Sequence, residues 1–259
     1  MEFIDSSPGP HFFLKPFVEY QGKIPFIVTL LVEHLDLLHS ELHDGIFRLS
    51  GQKSSVDDIC RILDKGYEPD WEKCTDVHEI AGALKRYFFG IVSLDPLIDH
   101  SMDEKLISIL KKYADIEEMV PLIKEIISNM PQTRRATLGF LLGFLQKIAQ
   151  NADKNLMTSS NLGVVFSPTL FFTREVVNGM HCPKIIEILI NKFDQIFNHE
   201  WFDSSHFMTK AEIDRMCCPT LDLNDVLIES ERRKIRIGSV IPFISDITAA
   251  RMGLKRPLD

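Results

Sequence analysis

The chain has 259 residues, of which 45% are hydrophobic and 25% charged, and a formal net charge of −8. That length suits one large domain or one domain with an appendage, and the balance is that of an ordinary globular protein. General nucleic-acid binders are basic, so the acidic total excludes that class as a default while leaving room for a local basic site.

In chain order, the opening residues Met1-Glu2-Phe3-Ile4-Asp5 lack the basic and apolar regions of a secretion signal. Pro25 is placed to open a helix, with Ile27, Val28, Leu31, Leu35 and Leu38 on one face. Ser54 or Ser55 is the expected cap of a second helix carrying Val56, Ile59, Ile62 and Leu63, which Gly66 ends. Val77, Ile80, Ala81, Leu84 and Phe88 step at helical spacing after Thr75, and the turn Leu94-Asp95-Pro96-Leu97-Ile98 is expected to halt that helix. Further helices are predicted at 102–113, 116–130 and 133–151, a short one near Thr158, and one over 184–197. Alternating strand patterns are scarce, so the fold class is all-α. Residues 13–200 read as the domain. Residues 201–259 read as a partly helical extension, with a charged helix near 224–236, too short to maintain a core alone.

The longest apolar stretches, around 24–32 and 140–145, are too short to span a bilayer. Cys60, Cys74, Cys182, Cys217 and Cys218 are odd in number and form no C-x-x-C pair, as expected of free thiols in a reducing cytoplasm. His39 and His43 have the i,i+4 spacing of a helical metal clamp, but no third ligand is near, so no metal is expected. The run Arg232-Arg233-Lys234-Ile235-Arg236 reads as a solvated helix end, or as a contact for anionic lipid or a partner.

Three segments carry more chemistry. In Gly45-Ile46-Phe47-Arg48-Leu49-Ser50-Gly51 an arginine lies between two glycines that tolerate positive φ and close backbone approach. Ile46, Phe47 and Leu49 are placed to pin this loop to a core, leaving a guanidinium suited to forked contact with phosphate oxygens. The second segment, Leu84-Lys85-Arg86-Tyr87-Phe88-Phe89, turns Lys85 and Arg86 away from the apolar helix face. In the third, residues 155–170, Asn161 sits among small and apolar residues in a helix that Pro168 closes.

In this order the three segments resemble the Rho-type GTPase-activating (RhoGAP) domain, whose pattern is G-x-[FY]-R-x-[SV]-G, then L-K-x-[FY] with a proline-bearing turn, then N-L-x-x-V-F-x-P. The resemblance covers residues 13–198 and is closest to the GRAF/oligophrenin branch over 155–172 and 184–190. It implies a compact multi-helix domain that docks on the switch regions of a Rho, Rac or Cdc42-like GTPase. Arg48 would be the arginine finger, with Gly45 and Gly51 shaping its loop. Lys85 would support the site and meet acidic groups of the partner, and Asn161 would contact the switch region and help fix the finger loop. Val164 and Pro168 would offer apolar contact. No cofactor of its own is implied, since GTP and Mg²⁺ belong to the partner. The expected location is cytoplasmic, with recruitment to membranes through the partner.

One departure stands out. Many family members carry an arginine one helical turn after the lysine, where it braces the finger loop; here that place is Phe89, and the following turn has lost its first proline. Arg86 shares a helical face with Phe89 and is expected to substitute in part as the brace. The same departure keeps open a second reading, a catalytically weak effector or scaffold module that binds the GTP-loaded GTPase.

Overall fold

The structure, a computed structural model, describes residues 11–171 and 181–217. The helical spacing becomes α1 (Phe26–Leu37), α2 (Lys53–Asp64), α3 (Val77–Ile91), α4 (His100–Lys112), α5 (Ile116–Ser128), α6 (Gln132–Gln150), α7 (Ala152–Asn155), α8 (Ser159–Leu170), α9 (Cys182–Asn191), α10 (Phe193–Ile196) and α11 (Lys210–Cys217). Among the described residues there is no strand, and the all-α fold stands; two isolated bridges join Ile24 to Phe207 and Ile98 to Phe171. No helix among them is long and apolar enough to cross a membrane.

Helix α6 is the central post. Leu138, Phe140, Leu141, Leu142, Phe144, Leu145 and Ile148 are buried around nearly its whole circumference, as a helix enclosed by others requires. Around it α3 packs against α1, α2 and α8, and α8 makes its most extensive pairing with α9. Helices α3, α4, α5 and α8 start on side-chain caps from Asp76, Asp99, Asp115 and Thr158, each satisfying a first-turn N–H.

Several boundaries differ from expectation. Pro25 is the residue before α1 and not its first turn. Gln52 precedes α2 and offers no side-chain bond, and Ser54 and Ser55 lie inside the first turn. At its other end Gly66 does follow α2 with a φ of +74°. Helix α3 stops at Ile91, before Leu94. The predicted 184–197 helix breaks at Lys192 into α9 and α10. His39 has a φ of +51° and His43 is extended, so they share no helix face and the metal-clamp spacing is lost.

The first part of the expected extension belongs to the core. Phe202 and Phe207 are buried, Ile24 N–H donates to the His206 carbonyl at 2.8 Å, and the Arg135 guanidinium lies 5.0 Å over the Trp201 ring. The helix expected at 224–236, the basic run within it and Cys218 lie outside the described residues. Among the described cysteines, Cys60, Cys74, Cys182 and Cys217, no disulfide forms.

A histidine on α1 gives the fold a pH response. His34 stacks on Trp71 at 3.6 Å between ring centroids, and burial lowers its pKa from 6.5 to about 4. Between those values the unfolded chain binds the proton and the native one does not, so stability falls as pH drops from 6.5 towards 4. The shift caps this at roughly 3 kcal/mol, and partial exposure reduces it to about 2 kcal/mol. Urea melts over that pH range are expected to show the loss in the wild type and a flatter profile in His34→Gln.

Candidate functional site

The arginine loop is built from backbone bonds inward and side-chain anchors beneath. Gly45 takes a φ of +64°, and its carbonyl accepts from Arg48 N–H at 2.9 Å and Leu49 N–H at 2.8 Å. Phe47 also has a positive φ, +66°, a conformation that costs a non-glycine residue about 1–3 kcal/mol. Burial offsets that cost: the Phe47 ring is fully enclosed, edge-on to Phe144 at 6.3 Å and to Phe166 at 5.0 Å. Ile46 is equally buried, whereas Leu49, expected as a third anchor, is 46% exposed.

With Ile46 and Phe47 turned inward, Arg48 points outward. Its side chain is 53% exposed and its Nη2 rests 3.9 Å from Asp44 Oδ1, an exposed pair whose release costs less than about 1 kcal/mol. Gly51 serves a different purpose from Gly45. Its φ is ordinary, but a Cβ there would lie 2.5 Å from the backbone N of Glu79, so the loop's exit runs directly against the start of α3. Gly51→Ala is expected to destabilise the fold by about 1–3 kcal/mol, read from urea melts, because backbone cannot yield as a side chain does.

Lys85 and Asn155 clamp the loop. The Lys85 ammonium donates to the Phe47 carbonyl, and burial pulls its pKa below the ordinary lysine value. Gly45 N–H donates to the Asn155 carbonyl at 2.8 Å. The Asn155 amide, itself fully buried, donates to the carbonyls of Glu41 and Ile148 at 2.8 Å each, and its Oδ1 accepts from Met157 N–H at 2.7 Å. Sequence reasoning did not single out Asn155. The signal that was present is an amide at the end of a helix, just ahead of the Met157-Thr158 cap, where local satisfaction of turn backbone is a common use.

Arg86 is set against α2, its guanidinium paired with Asp57. Phe89, one turn beyond Lys85, is 63% exposed. The turn after α3 is well anchored despite its missing proline. Asp95 accepts from Phe17 N–H at 2.6 Å and pairs with Arg134, which also reaches Asp99 at 2.9 Å.

On α8 the exposed residues Asn161, Val164 and Pro168 follow one another at three- and four-residue spacing and share a face. Asn161 Nδ2 donates to the Leu156 carbonyl at 3.0 Å, fixing the turn where Leu156 takes a φ of +60°. Among the described residues no three His, Cys, Asp or Glu side chains converge as a metal site.

The arrangement defines a class: a helical scaffold that presents an outward arginine on a braced loop, together with an exposed, partly apolar face on α8. The chain belongs to the RhoGAP domain family, which matches residues 25–175. Rho GTPase-activating protein 15 of Rattus norvegicus is 28% identical over 187 residues, 68% of this chain and 37% of that protein. SLIT-ROBO Rho GTPase-activating protein 1 of Homo sapiens is 30% identical over 190 residues, 72% of this chain and 17% of that protein. The match therefore spans well under half the length of either relative. Among solved structures, human Rho GTPase activating protein 15 superposes with a TM-score of 0.63 at 27% identity, covering 68% of this chain and 84% of that one. The BH domain of GRAF, the GTPase regulator associated with focal adhesion kinase, gives 0.60 at 30% identity, covering 67% and 94%.

Proposed function

We propose that the protein is a GTPase-activating protein for a Rho-family small GTPase of the Rho, Rac or Cdc42 type, with Arg48 as its arginine finger. The observation that carries this reading is the outward Arg48 on a loop clamped by Lys85 and Asn155. Beside the family membership, the two relatives described above are named Rho GTPase-activating proteins.

The chemistry asks little of this chain. The partner brings GTP, Mg²⁺ and the attacking water, and the protein brings positive charge where negative charge gathers in the transition state. The braced loop backbone sets the base of the Arg48 side chain before the partner arrives, leaving only the exposed guanidinium to swing into place. The weak Asp44 contact lets it leave its resting place cheaply. Lys85 acts here as a loop brace, and Asn161, Val164 and Pro168 form the docking face on α8. No nucleophile, general base, cofactor or metal is required of the protein itself. Recruitment to membranes follows from the partner.

The scaffold alternative rests on Phe89, exposed where many family members carry a bracing arginine. The bonds to the Phe47 carbonyl and the Gly45 N–H supply bracing without it, which favours activity. Single-turnover GTP hydrolysis by a panel of Rho, Rac and Cdc42-type GTPases tests the choice. Stimulation is the expected result; binding to the GTP-loaded form without stimulation would replace this reading by the scaffold.

A further inference from the structure

Just ahead of the arginine loop in the chain lies a cluster of charges set into the fold. Asp36 on α1 is fully buried, and Glu41, in the short helical turn Ser40–Leu42, is nearly so. Both carboxylates face the ammonium of Lys147 on α6, which pairs with Asp36 and lies 3.3 Å from Glu41 Oε1. Burying two carboxylates beside a partly exposed ammonium is costly, and apolar side chains of similar volume often hold segments together as well. What charge adds is a defined separation and direction.

The cluster is continuous with the loop. The Glu41 carbonyl accepts from Asn155 Nδ2 at 2.8 Å, and the same amide donates to Ile148, the residue after Lys147, at 2.8 Å. The Asn155 carbonyl in turn accepts from Gly45 N–H at 2.8 Å. Thus α6 fixes Glu41 by its side chain through Lys147 and by its backbone through Asn155. The chain leaving Glu41 reaches Gly45 four residues later with both ends of that span tied down.

We propose that Lys147, with Asp36 and Glu41, is a positioning group for Arg48: it sets the height and angle at which the loop leaves the helical scaffold. This rests on the reading of Arg48 as the catalytic finger, and it assigns to Lys147 no contact with the partner or with GTP.

The test uses Lys147→Met, Lys147→Arg and Glu41→Gln beside wild type, with a stimulated GTPase titrated in single-turnover hydrolysis. A displaced finger lowers the maximal stimulated rate by about 10–100-fold in Lys147→Met and Glu41→Gln. The half-saturating protein concentration should stay within about threefold, because the docking face is untouched, and Lys147→Arg should recover most of the rate. Hydrogen exchange at the Gly45 amide, followed by NMR, provides a reading independent of any GTPase. Its protection should fall by about tenfold more in Glu41→Gln than that of core amides in α6. Wild-type maximal rates and unchanged Gly45 protection in folded variants would overturn the proposal and reduce the cluster to a stability element. Absence of stimulation by wild-type protein would instead sink the finger reading, and the Gly45 exchange would still decide whether Lys147 orders the loop. Should Lys147→Met not fold, Glu41→Gln, which keeps shape and removes one charge, separates the same outcomes.

Discussion

Replacing Arg48 by alanine is expected to lower the stimulated rate of GTP hydrolysis by about 10³–10⁵-fold, to near the partner's intrinsic rate. The side chain is outward and exposed, its resting contact with Asp44 is weak, and no core packing depends on it. The variant should therefore melt within about 0.5 kcal/mol of wild type, as exposed substitutions usually do. Affinity for the GTP-loaded partner should change by less than about tenfold, because the guanidinium contributes chiefly once charge has moved in the transition state. Arg48→Lys should rescue poorly, since a single ammonium cannot place two parallel N–H donors on neighbouring oxygens. Single-turnover hydrolysis over a range of protein concentrations separates the two parameters. A variant that keeps the wild-type maximal rate would remove Arg48 from the chemistry. One that binds far more weakly at an unchanged maximal rate would make it a docking residue.

How far this site could be read from sequence depends on the range of the interaction involved. Helices were legible because a buried face repeats every three or four residues; Ile27, Leu31 and Leu35 or Ile80, Leu84 and Phe88 are buried as their spacing implies. The loop glycines were legible as a pair but not in their separate duties. Positive φ at Gly45 is local, whereas the close approach of Gly51 to Glu79 depends on where α3 lands. Phe47 could not be foreseen in a left-handed conformation, because only its enclosure between Phe144 and Phe166 makes that conformation tolerable. The spacing of α3 turns Lys85 from the core, yet its ammonium ends on a carbonyl 38 residues earlier in the chain. Arg86 likewise finds Asp57, 29 residues away. A carbonyl leaves no mark in the sequence, since every residue has one, and so the partner of a long-range donor is invisible until the fold is known. The same reason hid Asn155.

Asn155 carries the second large effect. Its amide is buried and makes three side-chain bonds that join residue 41 before the loop, the end of α6 and the turn into α8. In Asn155→Ala the Glu41 carbonyl and the Met157 N–H lose these partners in a place water does not reach, while Ile148 retains a bond from Asn151 N–H. Each orphaned buried group costs about 1–3 kcal/mol, so a destabilisation of about 3–5 kcal/mol is expected in urea melts. Asn155→Asp should fare little better. It can still accept from Met157, but it sets a carboxylate against the two carbonyls that the amide had satisfied, close to the acidic Glu41. Function should suffer beyond folding. The bond from Gly45 N–H is to the backbone carbonyl of Asn155 and exists in every variant, but the carbonyl's position is set by the side chain's own anchors. A small rotation of that turn moves the loop's first residue and, with it, the guanidinium. Measured well below the melting temperature, the maximal stimulated rate of Asn155→Ala should fall by about 10–100-fold. A full rate from a destabilised Asn155→Ala would confine the residue to folding. Wild-type stability would mean that the turn finds other partners and that the buried amide is no hub at all.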